Sequence, residues 1–141
     1  MAFSDIYRVS GSAMTAQTVR LNTIASNLAN AETPAVDEGN VYKARRPVFA
    51  AVYQNDQLMS DKALTGARVQ VLDVVSTGNA VQRYEPHHPM ANADGYVWYP
   101  DVNVVEEMAD MMSASRNFET NVDVLNNVKS MQQSLLRLGE A

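Results

Sequence analysis

The sequence predicts an α+β protein in which long N- and C-terminal helices pair as a coiled-coil-like inner domain, accompanied by a small central β-rich domain. Three observations carry this. In residues 1–33, Phe3, Tyr7, Ser10, Met14, Gln17, Leu21, Ile24, Leu28 and Ala31 step by four and three, which keeps one seam on a single helix face. In residues 103–138, Met108, Met111, Ser115, Phe118, Val122 and Leu125 do the same, continuing through Val128, Met131, Leu135 and Leu138. Between these ends the chain is punctuated by Pro and Gly and enriched in short β-prone runs. The expected division is a discontinuous helical unit, residues 1–36 and 102–141, and a β-rich outer unit with its linkers, residues 37–101.

Taken in order, Ser4 and Asp5 are expected to cap the first helix through their side-chain oxygens. The helix should run to about Ala31 and stop at Thr33-Pro34, because proline disfavours a helical conformation in the residue before it. Tyr42, Val48, Phe49, Val52 and Tyr53 suggest strand within residues 41–53, with Pro47 placing part of the run on a sheet edge. A polar loop is expected through Asn55, Asp56, Ser60 and Gly66. Val69, Val71, Val74 and Val75, the turn Thr77-Gly78-Asn79 and residues 80–84 read as a hairpin. Residues 85–93 form an irregular loop, Asp94-Gly95 a tight turn and residues 96–99 a further strand, giving four or five strands in all. Asn103, three residues before Glu106, reads as a capping-box variant opening a last helix of about 36 residues. Three successive steps of three in its seam near Leu125 form a stammer, which should overwind a coil locally.

Composition excludes several classes. The net charge is −5, with residues 1–36 balanced, 37–101 at −2 and 102–141 at −3, so no segment is basic enough to grip a nucleic-acid backbone. There is no cysteine, hence no disulfide framework and no thiolate metal site. No run approaches the roughly 18 apolar residues of a membrane span, so stable membrane insertion is not expected. The start lacks a charged and then apolar leader, so export, if it occurs, is expected without a cleaved signal. No Gly-rich phosphate loop, nucleophile elbow or Cys-His pair is present, and neither enzymatic activity nor a cofactor is expected.

Three stretches carry a resemblance. Residues 22–34, NTIASNLANAETP, resemble the opening signature of bacterial flagellar basal-body rod and hook proteins. Residues 88–103, HPMANADGYVWYPDVN, are similar to a linker found in subunits of the proximal rod, and residues 102–131, VNVVEEMADMMSASRNFETNVDVLNNVKSM, to the terminal helix of those subunits. The signature positions are Asn22, Asn27, Leu28, Ala29, Asn30, Thr33, Pro34, Asn103, Glu106, Glu107 and Met108. The chain departs from the pattern at Ala35, Val36 and Asp37, where rod and hook relatives commonly carry glycine-tyrosine.

The resemblance implies a structural subunit of the periplasmic proximal rod, the part of the drive shaft that passes torque from motor to hook. It implies partners among the other rod subunits and copies of itself, and secretion through the flagellar export apparatus. Subunit packing is then expected along Tyr7, Met14, Leu21, Ile24 and Leu28 of the first helix. On the last helix the packing residues would be Met108, Met111, Phe118, Val122, Leu125, Val128 and Leu135. A soluble coiled-coil adaptor or secretion chaperone is the alternative that the helical ends alone allow.

Other constellations have simpler readings. His87 and His88 beside Glu85 and Asp94 could ligate a metal, but adjacent residues in an extended segment point apart, which favours a solvated loop. Asp101, Asn103 and Glu106 fit a helix cap better than a calcium loop, whose acidic ladder and glycine are missing. Met108, Met111, Met112 and Met131 suit ordinary packing before a promiscuous groove. Lys43, Arg45 and Arg46 could meet peptidoglycan or an acidic neighbour, against a solvated strand face. Asn22, Asn27 and Asn30 lie off the seam, where they either bond to another subunit or face solvent.

Overall fold

The computed structural model describes residues 3–55 and 64–139. Helix α1 spans Phe3–Asn30 and helix α2 Val104–Gly139; between them run strands β1 (Ala44–Asn55), β2 (Leu64–Thr77), β3 (Ala80–Tyr84) and β4 (Tyr96–Pro100). The protein is therefore α+β, with two long terminal helices and small antiparallel sheets. Asp56 and Ser60 of the expected polar loop lie outside the described residues, whereas Asn55 and Gly66 belong to strands.

The helix ends follow from local chemistry. Asn103 caps α2, its Oδ1 accepting the Val105 and Glu106 amides at 3.1 and 3.3 Å, which satisfies two donors that no helical carbonyl can reach. Ser4 and Asp5 do not cap α1 from outside: the helix already includes Phe3, so both lie in its first turn, where Asp5 favours the positive end of the helix dipole and pairs with Arg8 at 2.9 Å. At the other end the Thr33 amide bonds to the Asn30 carbonyl at 3.1 Å and Pro34 forbids a further turn.

The two helices pack antiparallel. Tyr7 meets Gln132, Arg20 meets Asp110 and Asn27 meets Glu107, so ascent along α1 matches descent along α2. On α1 the enclosed positions are Ser10, Ala16, Thr23, Ile24 and Asn27, and on α2 Glu107, Ala114 and Val128, the α2 positions being separated by seven or a multiple of seven. A period of seven is what holds one stripe of a helix against a partner.

Strands β1 and β2 pair antiparallel, with a bulge at Val48/Phe49 where the partners jump from Asp73 to Val71. The ribbon they form lies along α1. Arg45 is bonded to Asn27 at one end, and at the other Gly66 touches Arg8, so close that a Cβ there would stand 3.0 Å from the guanidinium. From residue 27 to residue 8 the helix covers about 29 Å, and from 45 to 54, the partner of Gly66, a strand covers about 30 Å. The Val69 amide, facing out of the ribbon, donates to Ser12 Oγ at 3.0 Å, so the helix covers a strand edge that would otherwise be unpaired there.

One sequence expectation is corrected. β2 and β3 do not form a hairpin: β2 pairs with β1, and β3 pairs with β4. Gly78, at φ 123°, carries the chain from one sheet to the other instead of reversing it. The second sheet is extended by Ala35, whose amide and carbonyl both bond to Trp98, at 2.8 and 3.1 Å. It encloses Val97, which is fully buried, and Tyr99, whose hydroxyl meets Glu85 Oε2 at 3.1 Å.

The core is thin. Of ten buried hydrophobic residues among those described, five are alanines: Ala16, Ala31, Ala35, Ala44 and Ala114. Small side chains let backbones approach closely but remove little apolar area from water, so each contributes less than the roughly 1.5–3 kcal/mol of a buried Leu or Ile.

Candidate functional site: a polar clamp between the two helices

Where α1, β1 and α2 converge, the chain builds a buried polar junction around Asn27, which is 1% exposed. Its Oδ1 accepts the Arg45 amide at 2.8 Å and the Tyr42 hydroxyl at 2.9 Å. Its Nδ2 donates to the Arg45 carbonyl at 3.0 Å and to Glu107 Oε2 at 3.1 Å. A side-chain amide has two acceptor sites and two donor hydrogens, and all four are used. Asn27 thereby acts as a peptide unit to β1 while holding a carboxylate of α2.

Glu107, 3% exposed, would be expensive to bury alone. It is supported by Asn27 and by Arg46, whose guanidinium lies 3.6 Å away. Arg46 also reaches Glu106 at 3.3 Å and Asp110 at 3.7 Å, and Asp110 is bound from α1 by Arg20 at 3.1 Å. Two arginines from different elements thus gather three carboxylates on the first two turns of α2. A shallow cleft beside them is lined by Ile24, Pro47 and Phe49.

This junction answers several sequence questions. Of the three asparagines, Asn27 bonds within its own chain, neither to solvent nor outward; Asn30 caps the carbonyl of Ser26 at 2.8 Å, and Asn22 is exposed. Arg46 belongs to the clamp, and the Arg45 side chain lies over the Tyr42 ring at 6.0 Å, while Lys43 is exposed. Of the signature residues, Asn27, Asn103, Glu106 and Glu107 meet at or beside the clamp; Leu28 and Pro34 are half-buried, and Ala29, Thr33 and Met108 are exposed. Among the seam residues, Ile24 and Val128 are buried; Met14, Leu21, Leu28, Met111, Phe118, Val122 and Leu125 are half-buried; Tyr7, Met108 and Leu135 are exposed. Arg20, Tyr42 and Ala114 are structural partners that sequence reasoning missed. Ala114, two heptads before Val128, was the one with a signal, since its spacing matches the enclosed stripe.

Nothing in this arrangement resembles a catalytic centre. Every polar group of the junction is engaged by another, and no base faces a nucleophile across open space. Among the described residues no group of three His, Cys, Asp or Glu side chains could hold a metal. At His88 the ring Nδ1 accepts the Met90 amide at 3.1 Å, a turn contact within the loop. No described helix is long and apolar enough to cross a membrane.

The fold is thus a helix pair at the chain termini, locked by a polar clamp and carrying a strand ribbon. Comparison with known proteins places it. The family profile described as "Flagella basal body rod protein" matches residues 8–34, and that described as "Flagellar basal body rod FlgEFG protein C-terminal" matches residues 93–138. Flagellar basal-body rod protein FlgC of Escherichia coli O6:H1 is 43% identical, over 99% of this chain and all of the relative. FlgC of Salmonella typhimurium LT2 is 42% identical over the same shares, and FlgC of Borreliella burgdorferi 36% over 96% of each. The chain belongs to the FlgC family of flagellar basal-body rod proteins, which are structural subunits of the rod and not enzymes. These relatives lend no support to a soluble adaptor or secretion chaperone.

Proposed function

We propose that the protein is a proximal-rod subunit that assembles with other rod subunits and with itself into a helical tube, and that this tube carries torque from motor to hook. The observation that carries the proposal is that the segments matched by the two rod profiles, 8–34 and 93–138, cover most of the two helices that pack together. In this reading residues 1–36 and 102–141 form the inner wall as a coiled-coil pair and residues 37–101 stand outside it. The seven-residue spacing of Ala16 and Thr23 on α1 and of Glu107 and Ala114 on α2, with Val128 two heptads beyond, supports coiled-coil pairing.

The thin, alanine-rich core supports coupled folding and assembly. A chain that gains little from its own core stays loose enough to be exported unfolded, without a cleaved signal, and becomes rigid when neighbours cover its remaining apolar side chains. Contacts in such a tube join unlike faces, because an interface that does not close on itself propagates as a helix. Stiffness follows from dense, repeated contacts along parallel helices. Its place is the periplasmic rod, and neither nucleic acid nor a membrane span enters the mechanism.

Motility of a deletion strain complemented with Leu21→Asp or Leu125→Asp tests the proposal. Either charge placed at the half-buried seam should abolish swimming and leave basal bodies without a completed rod; normal swimming by both variants would sink it.

A further inference from the structure

In an antiparallel ribbon alternate residues turn their backbone groups toward the partner strand and away from it. Two contacts fix that alternation for β1 and β2. The Arg45 amide and carbonyl both bond to the Asn27 side chain, so Arg45 faces out of the ribbon. The Val69 amide faces out of β2, and its register partner on β1 is Ala51. Both observations give one parity, with residues 45, 47, 49 and 51 directed away from β2. The extra residue of the bulge, Leu72, lies in β2 and leaves the alternation on β1 intact. Pro47 is therefore an outward position, as a proline within a ladder must be, and so is Val74 opposite it.

This rung offers no free N–H on either side of the ribbon. Proline has none, and the Val74 amide donates to Asp73 Oδ1 at 2.7 Å. The capped donor lies in the middle of an open edge. Ser12 covers β2 at Val69, and beyond it, among the described residues, β1 is the only strand beside β2. Leu72 is 61% exposed, Val75 40% and Val74 38%. Asp73 is the only charged residue between Arg68 and Arg83. A run rich in valine, without proline, nearly without charge and open along one edge is a template on which another chain can pair. The bulge already breaks the even spacing of that template between Val71 and Asp73.

We infer that Asp73 guards the β2 edge against strand addition by a second copy of this chain, its carboxylate occupying the Val74 donor that an incoming carbonyl would need. The guard acts through the hydrogen bond, and the charge alone does not supply it. It protects the free subunit, whose ribbon no neighbour covers, so the inference goes beyond the rod reading and does not depend on it.

Three variants of the full chain test this, each checked for native helix content by circular dichroism. Asp73→Ala frees the amide, and its thioflavin-T signal in concentrated solution should rise about tenfold faster than that of the wild type, with an intermolecular β band in the infrared. Asp73→Asn keeps an Oδ1 acceptor and loses the charge, and it should stay within about twofold of the wild type. Val74→Pro deletes the donor itself at a position where the ladder does not use it, so adding it to Asp73→Ala should restore the wild-type rate. That double variant also separates edge pairing from unfolding, because a proline cannot rescue a chain that aggregates through a lost fold. Equal aggregation of Asp73→Asn and Asp73→Ala would overturn the inference in favour of a plain charge effect. A soluble Asp73→Ala, or a double variant that still aggregates, would overturn it outright.

Discussion

Asn27 Nδ2 donates to Glu107 Oε2 at 3.1 Å across 80 residues of sequence, and the same amide holds the backbone of Arg45 from both sides. One side chain thus ties α1, β1 and α2. A buried amide with all four bonds made fixes geometry as well as energy, because no other placement of the three elements satisfies it.

Replacing Asn27 therefore strands several buried partners at once. Asn27→Ala should lower the unfolding free energy of the isolated protein by about 3 kcal/mol, the cost of leaving Glu107 and the Arg45 amide without their partner. Asn27→Asp should be at least as harmful at neutral pH, since it places a carboxylate against Glu107 and removes the donor. Urea denaturation of both variants checks this. A loss below 1 kcal/mol in each would mean that the clamp does not hold the fold.

Gln17 sits on the α1 seam with its Oε1 enclosed and no partner among the described residues. An enclosed acceptor without a donor costs about 1–3 kcal/mol. Gln17→Leu should accordingly raise the thermal midpoint of the isolated protein by several degrees. Should secretion of that variant fall at the same time, the polar seam position would be linked to export of a loosely folded chain.

Ala114 is fully buried where α2 faces α1. Ala114→Leu inserts three carbons into a contact that only small side chains allow, and overpacking of this kind costs about 1–3 kcal/mol. Ala114→Gly, by contrast, should cost only about 1 kcal/mol through helix propensity. The ordering of the two variants in denaturant is the prediction, and an equal or reversed order would contradict close helix approach.

The Tyr99 hydroxyl should ionise above the usual tyrosine range, because burial and the hydrogen-bonded Glu85 carboxylate both oppose a phenolate. The folded protein then holds this proton more tightly than the unfolded chain. Its contribution to stability is present below pH 10 and is lost as pH rises through the folded value. Absorbance at ~295 nm, where phenolate absorbs, should reveal one late-titrating tyrosine of the six, absent in Tyr99→Phe. Uniform titration of all six would refute it.

The helices were legible because each is a long run with no proline and heptad-spaced apolar residues, and Asn103 marks where the second begins, whereas the cap expected at Ser4 and Asp5 lies inside the first. Their extent came out to within a residue or two. The partner of β2 was not legible. Thr77-Gly78-Asn79 has the local chemistry of a hairpin turn, but a glycine at φ 123° serves equally to pass a strand from one sheet to another, and only packing on α1 decides. The better signal lay in length: the strand-prone runs around 44–55 and 64–77 are matched, flank a polar segment and can pair along their whole extent. The clamp was half legible. Asn27 and Glu107 stood out as signature residues, yet an asparagine off the seam reads as a surface residue until the backbone of β1 is known to arrive beside it. Arg46 was hidden for the same reason, since its three carboxylates lie 60 or more residues away.

Intact hook and basal-body complexes, extracted in detergent from the bacterium that makes this chain and analysed by peptide mass spectrometry, test the central claim most directly. A rod subunit must be enriched there together with the other rod proteins, and lost when Leu21 or Leu125 is changed to Asp. Its absence from those complexes while it is abundant in the soluble fraction would contradict the rod assignment.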